Sequence, residues 1–113
     1  ATMGPKDVGI FVSNSGTTRE VMECLHLAAA RGGTTIALTR FDNSPLAQAA
    51  DLCLYTSSPE ISHRSGAMSS RIAQMCMVDV LFTAVARRNY RKVETALENS
   101  YKSCMTHRVE AEN

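Results

Sequence analysis

A chain of 113 residues is the size of one domain or part of one, and a hydrophobic fraction of 44% suits a globular core. A formal net charge of +1 gives no bulk electrostatic footprint for nucleic acid. The four cysteines (Cys24, Cys53, Cys76 and Cys104) form no C-x-x-C pair, and three lie in apolar stretches, where Cys behaves as a small buried hydrophobe. That usage fits a reduced cytoplasmic protein better than a disulfide scaffold or a metal site, so no metal ligands are expected. No apolar run is expected to reach the roughly 20 residues of a bilayer span, and no signal peptide is visible.

Residues 1–6, with Gly4-Pro5, read as a loop entering a first strand. Val8, Ile10, Phe11 and Val12 are β-branched or aromatic, the composition of a parallel strand buried on both faces. A run of small hydroxyl residues about Gly16 follows. From Glu20 onward Val21, Leu25, Ala28 and Ala29 recur at helical steps, predicting a helix over about 18–30 that stops at Gly32-Gly33. Residues 34–39 read as a second parallel strand, reached by a right-handed crossover. Residues 40–43 are a turn, Ser44-Pro45 caps a short helix through Ala50, and 52–55 make a third strand. The polar residues 56–60 then lie at that strand's C-terminal end, where open α/β sheets bind ligands.

A long helix is predicted over about 64–89, apolar almost all round between Ile72 and Ala86, with Gln74, Asp79 and Thr83 as exceptions. Such a helix is buried on more than one side. One face is expected to cover the sheet; the other needs the same helix of a second subunit or a roof from chain upstream of residue 1. The tail, about 90–107, places Val93, Leu97, Tyr101 and Met105 at helical spacing, as an amphipathic helix packed on the domain or its dimer mate.

The chemistry concentrates at Ser13-Asn14-Ser15-Gly16-Thr17-Thr18, between the first strand and the first helix. A helix N-terminus carries unsatisfied N–H groups and partial positive charge, and hydroxyls add donors for phosphate oxygens without adding charge. The same residues also suit plain helix capping, with Thr17 or Thr18 and Glu20. There is no Gly-Lys-Ser/Thr pair and no glycine triplet, so the loop matches neither common nucleotide signature.

Ser13-Asn14-Ser15-Gly16-Thr17-Thr18-Arg19-Glu20 resembles the Ser-x-Ser-Gly-x-Thr loop of sugar isomerase (SIS) domains, which bind phosphosugars. Thr39, then 43–47 (Asn-Ser-Pro-Leu-Ala) and Ala50-Asp51, are similar to the family's second turn. Residues 64–74 and 79–82 are similar to the corresponding helix of RpiR-type transcriptional regulators. The likeness runs from about residue 7 to residue 88. It implies an α/β fold, a three-layer α/β/α arrangement about a parallel sheet (SIS-like, flavodoxin-like). The N-terminal part of that domain is expected to be missing from 1–113, with a core over about 7–88 and a C-terminal helix over about 90–107.

The resemblance assigns phosphate contact to Ser13, Asn14, Ser15 and Thr18, with Gly16 and Thr17 shaping the loop, while Arg19 faces solvent. It places Ser69 and Ser70 near the sugar, although both also suit an N-terminal cap. Glu60 and His63 are a Glu and a His near the site, as aldose–ketose isomerisation requires; a solvated His and a Glu60–Arg64 pair explain them equally. The expectation is the sensing part of an RpiR-type regulator rather than an enzyme. Its partners are a sugar-phosphate effector, a second subunit, and DNA reached only through a helix-turn-helix domain outside this chain. No cofactor and no membrane are implied; a phosphosugar isomerase fragment is the alternative.

Overall fold

The computed structural model describes residues 2–57 and 65–107. The β-branched runs form the strands β1 (Val8–Val12), β2 (Thr34–Arg40) and β3 (Leu52–Thr56), and the helical periodicities form α1 (Arg19–Ala30), α2 (Pro45–Ala49), α3 (Ser65–Arg88) and α4 (Tyr90–Thr106). Each expected element is present within one or two residues of its expected ends. The strands pair in parallel in the order β1-β2-β3, with Ile10 opposite Ile36 and Ile36 opposite Leu52.

The punctuation residues act as read. α1 ends at Arg31; Gly32 then takes φ +80°, a left-handed conformation that costs little only without a Cβ. Gly32 N–H donates to the Ala29 carbonyl (3.0 Å) and Gly33 N–H to that of Ala28 (3.1 Å), the paired bonds of a Schellman stop. Ser44 caps α2 by accepting from Ala47 N–H (3.3 Å), with Pro45 in the first helical position.

The core lies on one face of the sheet, where Leu25 of α1, Ala37 of β2 and Leu46 of α2 are fully buried with Phe11, Val21, Met22 and Cys53 around them. Ala29 turns outward, so α1 buries only Leu25 and Ala28 completely. At the opposite end of the sheet from the hydroxyl loop, Asp51 ties the start of β3 to β2. Its Oδ2 accepts from Thr35 N–H (2.9 Å) and Thr35 Oγ1 (3.1 Å), and Thr35 Oγ1 accepts in turn from Asp51 N–H (3.0 Å).

Burial differs from expectation in β1 and at the cysteines. Strand β1 is an edge strand buried on one face only: Phe11 packs on the core, but Val8, Ile10 and Val12 point the other way and are 59%, 46% and 42% exposed. In α3, Met68, Ile72, Met75, Val80, Phe82 and Val85 are exposed, as are Leu97, Tyr101 and Met105 of α4, which leaves open the faces for which a second subunit or upstream chain is the expected cover. Their apolar pattern was legible; a covering surface is not among the described residues. Cys24, Cys76 and Cys104 are exposed, and only Cys53 is half-buried, its Sγ donating to the Ala47 carbonyl (3.1 Å).

The chain divides into two units, Ala1–Val78 and Asp79–Asn113, the division falling within α3. In the second, Asn89 joins α3 to α4: its N–H donates to the Val85 carbonyl (3.2 Å) and its carbonyl accepts from Val93 N–H (3.1 Å). By length and composition Met68–Arg88 reaches the range of a membrane span, against the expectation that no run would. Arg71 and Asp79 lie inside that stretch, and a charge at the centre of a spanning helix costs about 2.5–3.5 kcal/mol on insertion scales.

Candidate functional site

At the C-terminal end of β1 the chain turns sharply into α1. Ser13 N–H still donates to the Leu38 carbonyl (3.1 Å), the last rung of the sheet ladder, and Gly16 N–H then folds back on the Ser13 carbonyl (3.2 Å). Gly16 sits at φ +68°, which a side chain disfavours. A Cβ there would also run into the Ser44 side chain and lie 3.2 Å from Thr39 Oγ1. The loop is pinned from both sides. Arg40 N–H (3.3 Å) and Thr39 Oγ1 (3.3 Å) both donate to the Asn14 carbonyl, and Leu46 N–H donates to the Gly16 carbonyl (3.1 Å).

Within the loop the hydroxyls are arranged in two sets. Ser13 is buried; its Oγ accepts from Gly16 N–H (3.1 Å) and shares a 2.8 Å hydrogen bond with Thr18 Oγ1. Ser15 Oγ accepts from both Thr17 N–H (3.3 Å) and Thr17 Oγ1 (2.9 Å). A hydroxyl has two acceptor sites and one proton to give, so Ser15 retains its O–H as an outward donor. The capping alternative is not what forms. Thr18 occupies the N-cap position of α1 but makes no side-chain cap bond; its hydroxyl goes to Ser13 instead. A helix of 12 residues thus begins without a side-chain cap, directly behind a fixed loop of hydroxyls. Arg19 turns aside to Glu23 (Nε–Oε1 3.2 Å) on the exposed side of the helix.

The model of the SIS domain family matches residues 1–84. The chain belongs to the SIS domain family. It is 48% identical over 94 residues to an uncharacterized HTH-type transcriptional regulator of Caldanaerobacter subterraneus subsp. tengcongensis, covering 83% of this chain and 33% of that one. It is 36% identical over 104 residues to the uncharacterized HTH-type transcriptional regulator YbbH of Bacillus subtilis, covering 91% and 37%. The chain thus spans about a third of the length of these curated relatives. Among solved structures, the Vibrio vulnificus NanR protein complexed with ManNAc-6P superposes with a TM-score of 0.78 at 26% identity, covering 92% of this chain and 39% of that one. A Bacteroides fragilis protein assigned as a phosphosugar isomerase involved in capsule formation superposes at 0.66 with 32% identity, covering 74% and 46%. The parallel sheet and helices are those of the SIS fold.

The other expected site residues of this SIS domain divide by position. Ser69 and Ser70 lie in the first turns of α3, Ser69 half-buried and Ser70 buried. Glu60 and His63 lie outside the described residues. Two residues that line the loop were not singled out from sequence as site residues, Thr39 and Ser44; both are buried and face Gly16. Their signal was indirect. Ser44 read as a cap and Thr39 as the end of a strand, both within the segment similar to the family's second turn, but the glycine they press on is more than twenty residues away in sequence.

Proposed function

We propose that this SIS domain is the effector-sensing part of an RpiR-type bacterial transcriptional regulator, and that its effector is a sugar phosphate. The observation that carries the reading is the hydroxyl loop in front of α1, a helix without a side-chain cap. The phosphate sits there, taking the Ser15 O–H, the one proton that the bonded Ser13–Thr18 hydroxyl pair has left to give, and the N–H groups of the first turn, with Asn14 at the rim. Gly16 and Thr17 hold the loop's shape, and Ser69 and Ser70 approach the sugar. The cradle itself is neutral, so affinity comes from directed donors and the helix end rather than from ion pairing.

The likeness to HTH-type regulators and to NanR with ManNAc-6P supports sensing rather than turnover. In the whole protein DNA is bound by a helix-turn-helix domain outside this chain, and the regulator works in the cytoplasm as a dimer. The effector acts by binding two states of that dimer with different affinity. A second reading, a phosphosugar isomerase with Glu60 and His63 as acid–base groups, draws on the likeness to the Bacteroides fragilis protein.

Calorimetry on the full-length protein tests the site. Ser15→Ala removes a hydrogen bond to a charged group, worth roughly 1.5–3 kcal/mol or about ten- to a hundredfold in affinity for a hexose 6-phosphate. Unchanged affinity would sink the assignment. The wild type should leave glucose 6-phosphate and glucosamine 6-phosphate chemically intact; turnover lost in Glu60→Gln would favour the isomerase.

A further inference from the structure

Beside the cradle, the C-terminal ends of β2 and β3 finish in two aromatic rings. Phe41 is 79% exposed, and its ring meets Tyr55 nearly edge-on, with centroids 5.1 Å apart and planes at 78°. The backbone beneath the pair is held, since Phe41 N–H donates to the Thr56 carbonyl (3.1 Å) and so extends the β2–β3 ladder. An open cavity of about 390 Å³ lies here, lined by Phe41, Asp42, Asn43 and Tyr55. Asp42 is held on both oxygens, by Asn43 N–H (2.7 Å) and by Arg40 Nη2 (3.4 Å). Each carboxylate oxygen keeps a further lone pair for a hydroxyl donor.

The cavity adjoins the phosphate cradle through the chain itself. Phe41 follows Arg40, whose N–H holds the Asn14 carbonyl, and Asn43 precedes Ser44, which abuts Gly16. Consecutive Cα atoms are about 3.8 Å apart, so the cavity wall begins one residue from each of the two points where this connection touches the cradle.

We propose that Phe41, Tyr55, Asp42 and Asn43 are the sugar-reading half of the site, taking the pyranose ring of the bound sugar phosphate. This rests on the phosphate-cradle reading above. A pyranose has a face of C–H groups and a rim of hydroxyls. The face packs on the Phe41 ring, whose π-cloud is negative and draws polarised C–H groups. The rim hydroxyls donate to the Asp42 carboxylate and exchange hydrogen bonds with the Asn43 amide. The Asp42 charge also fixes orientation, because it repels a phosphate from the cavity and leaves the neutral cradle as the phosphate's place. Phe41, Asp42 and Asn43 are specificity-determining residues in this scheme, and Tyr55 is the positioning ring behind Phe41.

The test is calorimetry on the full-length protein with two kinds of probe: hexose 6-phosphates (glucose, glucosamine and N-acetylmannosamine) and glycerol 3-phosphate, which has the phosphate but no ring. Phe41→Ala should weaken the tightest hexose 6-phosphate roughly five- to tenfold and leave glycerol 3-phosphate within about twofold. Phe41→Tyr, which keeps the ring, should restore wild-type affinity, and Asp42→Asn should reorder the three hexoses. Ser15→Ala, run alongside, should weaken both kinds of probe. If Ser15→Ala weakens both and Phe41→Ala neither, the cradle stands and the sugar-reading proposal is overturned. If Phe41→Ala weakens both probes equally, Phe41 only supports the loop and the proposal is again overturned. If no hexose 6-phosphate binds, or Ser15→Ala has no effect, the cradle reading fails and takes this proposal with it.

Discussion

Replacing Gly16 by alanine probes the cradle at its tightest point. Two costs combine there. The backbone sits at φ +68°, where an L-residue with a Cβ pays about 1–2 kcal/mol. The added carbon also meets the Ser44 side chain, within van der Waals radii, and Thr39 Oγ1 at 3.2 Å. Overpacking against such neighbours typically costs 1–3 kcal/mol. The loop must lift from α2, which breaks the Leu46 N–H bond to the Gly16 carbonyl and displaces the Ser44 cap. Hydrogen exchange of the full-length protein, followed at Leu46 N–H, should therefore quicken by roughly thirtyfold or more, since each 1.4 kcal/mol is tenfold. A compensating change separates the two costs. Ser44→Gly deletes the atoms the new methyl meets, and at an N-cap it costs only a few tenths of a kcal/mol by itself. The double variant Gly16→Ala/Ser44→Gly should recover the packing share and retain about 1–2 kcal/mol of backbone strain. Unchanged exchange at Leu46 in Gly16→Ala would refute the packing argument, and a double variant no better than the single one would assign the whole loss to the backbone.

Two further outcomes follow from the fold. Asp51→Ala removes both hydrogen bonds that its carboxylate accepts from Thr35 and leaves a buried N–H without its partner. It should lower the stability of the domain by about 2–4 kcal/mol in urea unfolding, while Ser15→Ala, at the opposite end of the sheet, leaves it within about 0.5 kcal/mol. Burying α3 against a second copy would stabilise a dimer by about 1.5–3 kcal/mol for each large apolar side chain covered. Sedimentation of the full-length protein should accordingly show a dimer that Met75→Lys/Phe82→Lys dissociates, and a dimer insensitive to that change would place the interface elsewhere.

What was legible in the sequence is what depends on neighbours along the chain. The 3.6-residue recurrence of Val21, Leu25 and Ala28, the Gly32-Gly33 stop and the Ser44-Pro45 start are local, and each forms within a residue or two of its expected place. The hydroxyl loop was legible as a type of chemistry, but its internal wiring was not. That Thr18 bonds Ser13 rather than capping α1 depends on how sharply the chain turns at Gly16, and that turn is set by Ser44 and Thr39 from another part of the sheet. Burial was the least legible quantity. An apolar run such as 8–12 predicts a strand, yet nothing in its pattern says which face will find a cover, and Val8, Ile10 and Val12 remain open. Phe41 and Tyr55 escaped for the same reason: residues 40–43 read as a turn, while the parallel register that sets Arg40 opposite Thr56 brings the two rings together.

Sensing couples effector and DNA, so it is read in the affinity of the full-length protein for its own promoter DNA, by fluorescence anisotropy, with and without the hexose 6-phosphate that calorimetry selects. Coupling between sites is typically worth 1–3 kcal/mol, so the sugar phosphate should change DNA affinity about five- to 150-fold in the wild type. The change should largely vanish at the same sugar-phosphate concentration in Ser15→Ala, whose DNA affinity without effector stays that of the wild type. DNA affinity indifferent to every sugar phosphate that binds, or an undiminished response in Ser15→Ala, would rule out sensing through this loop.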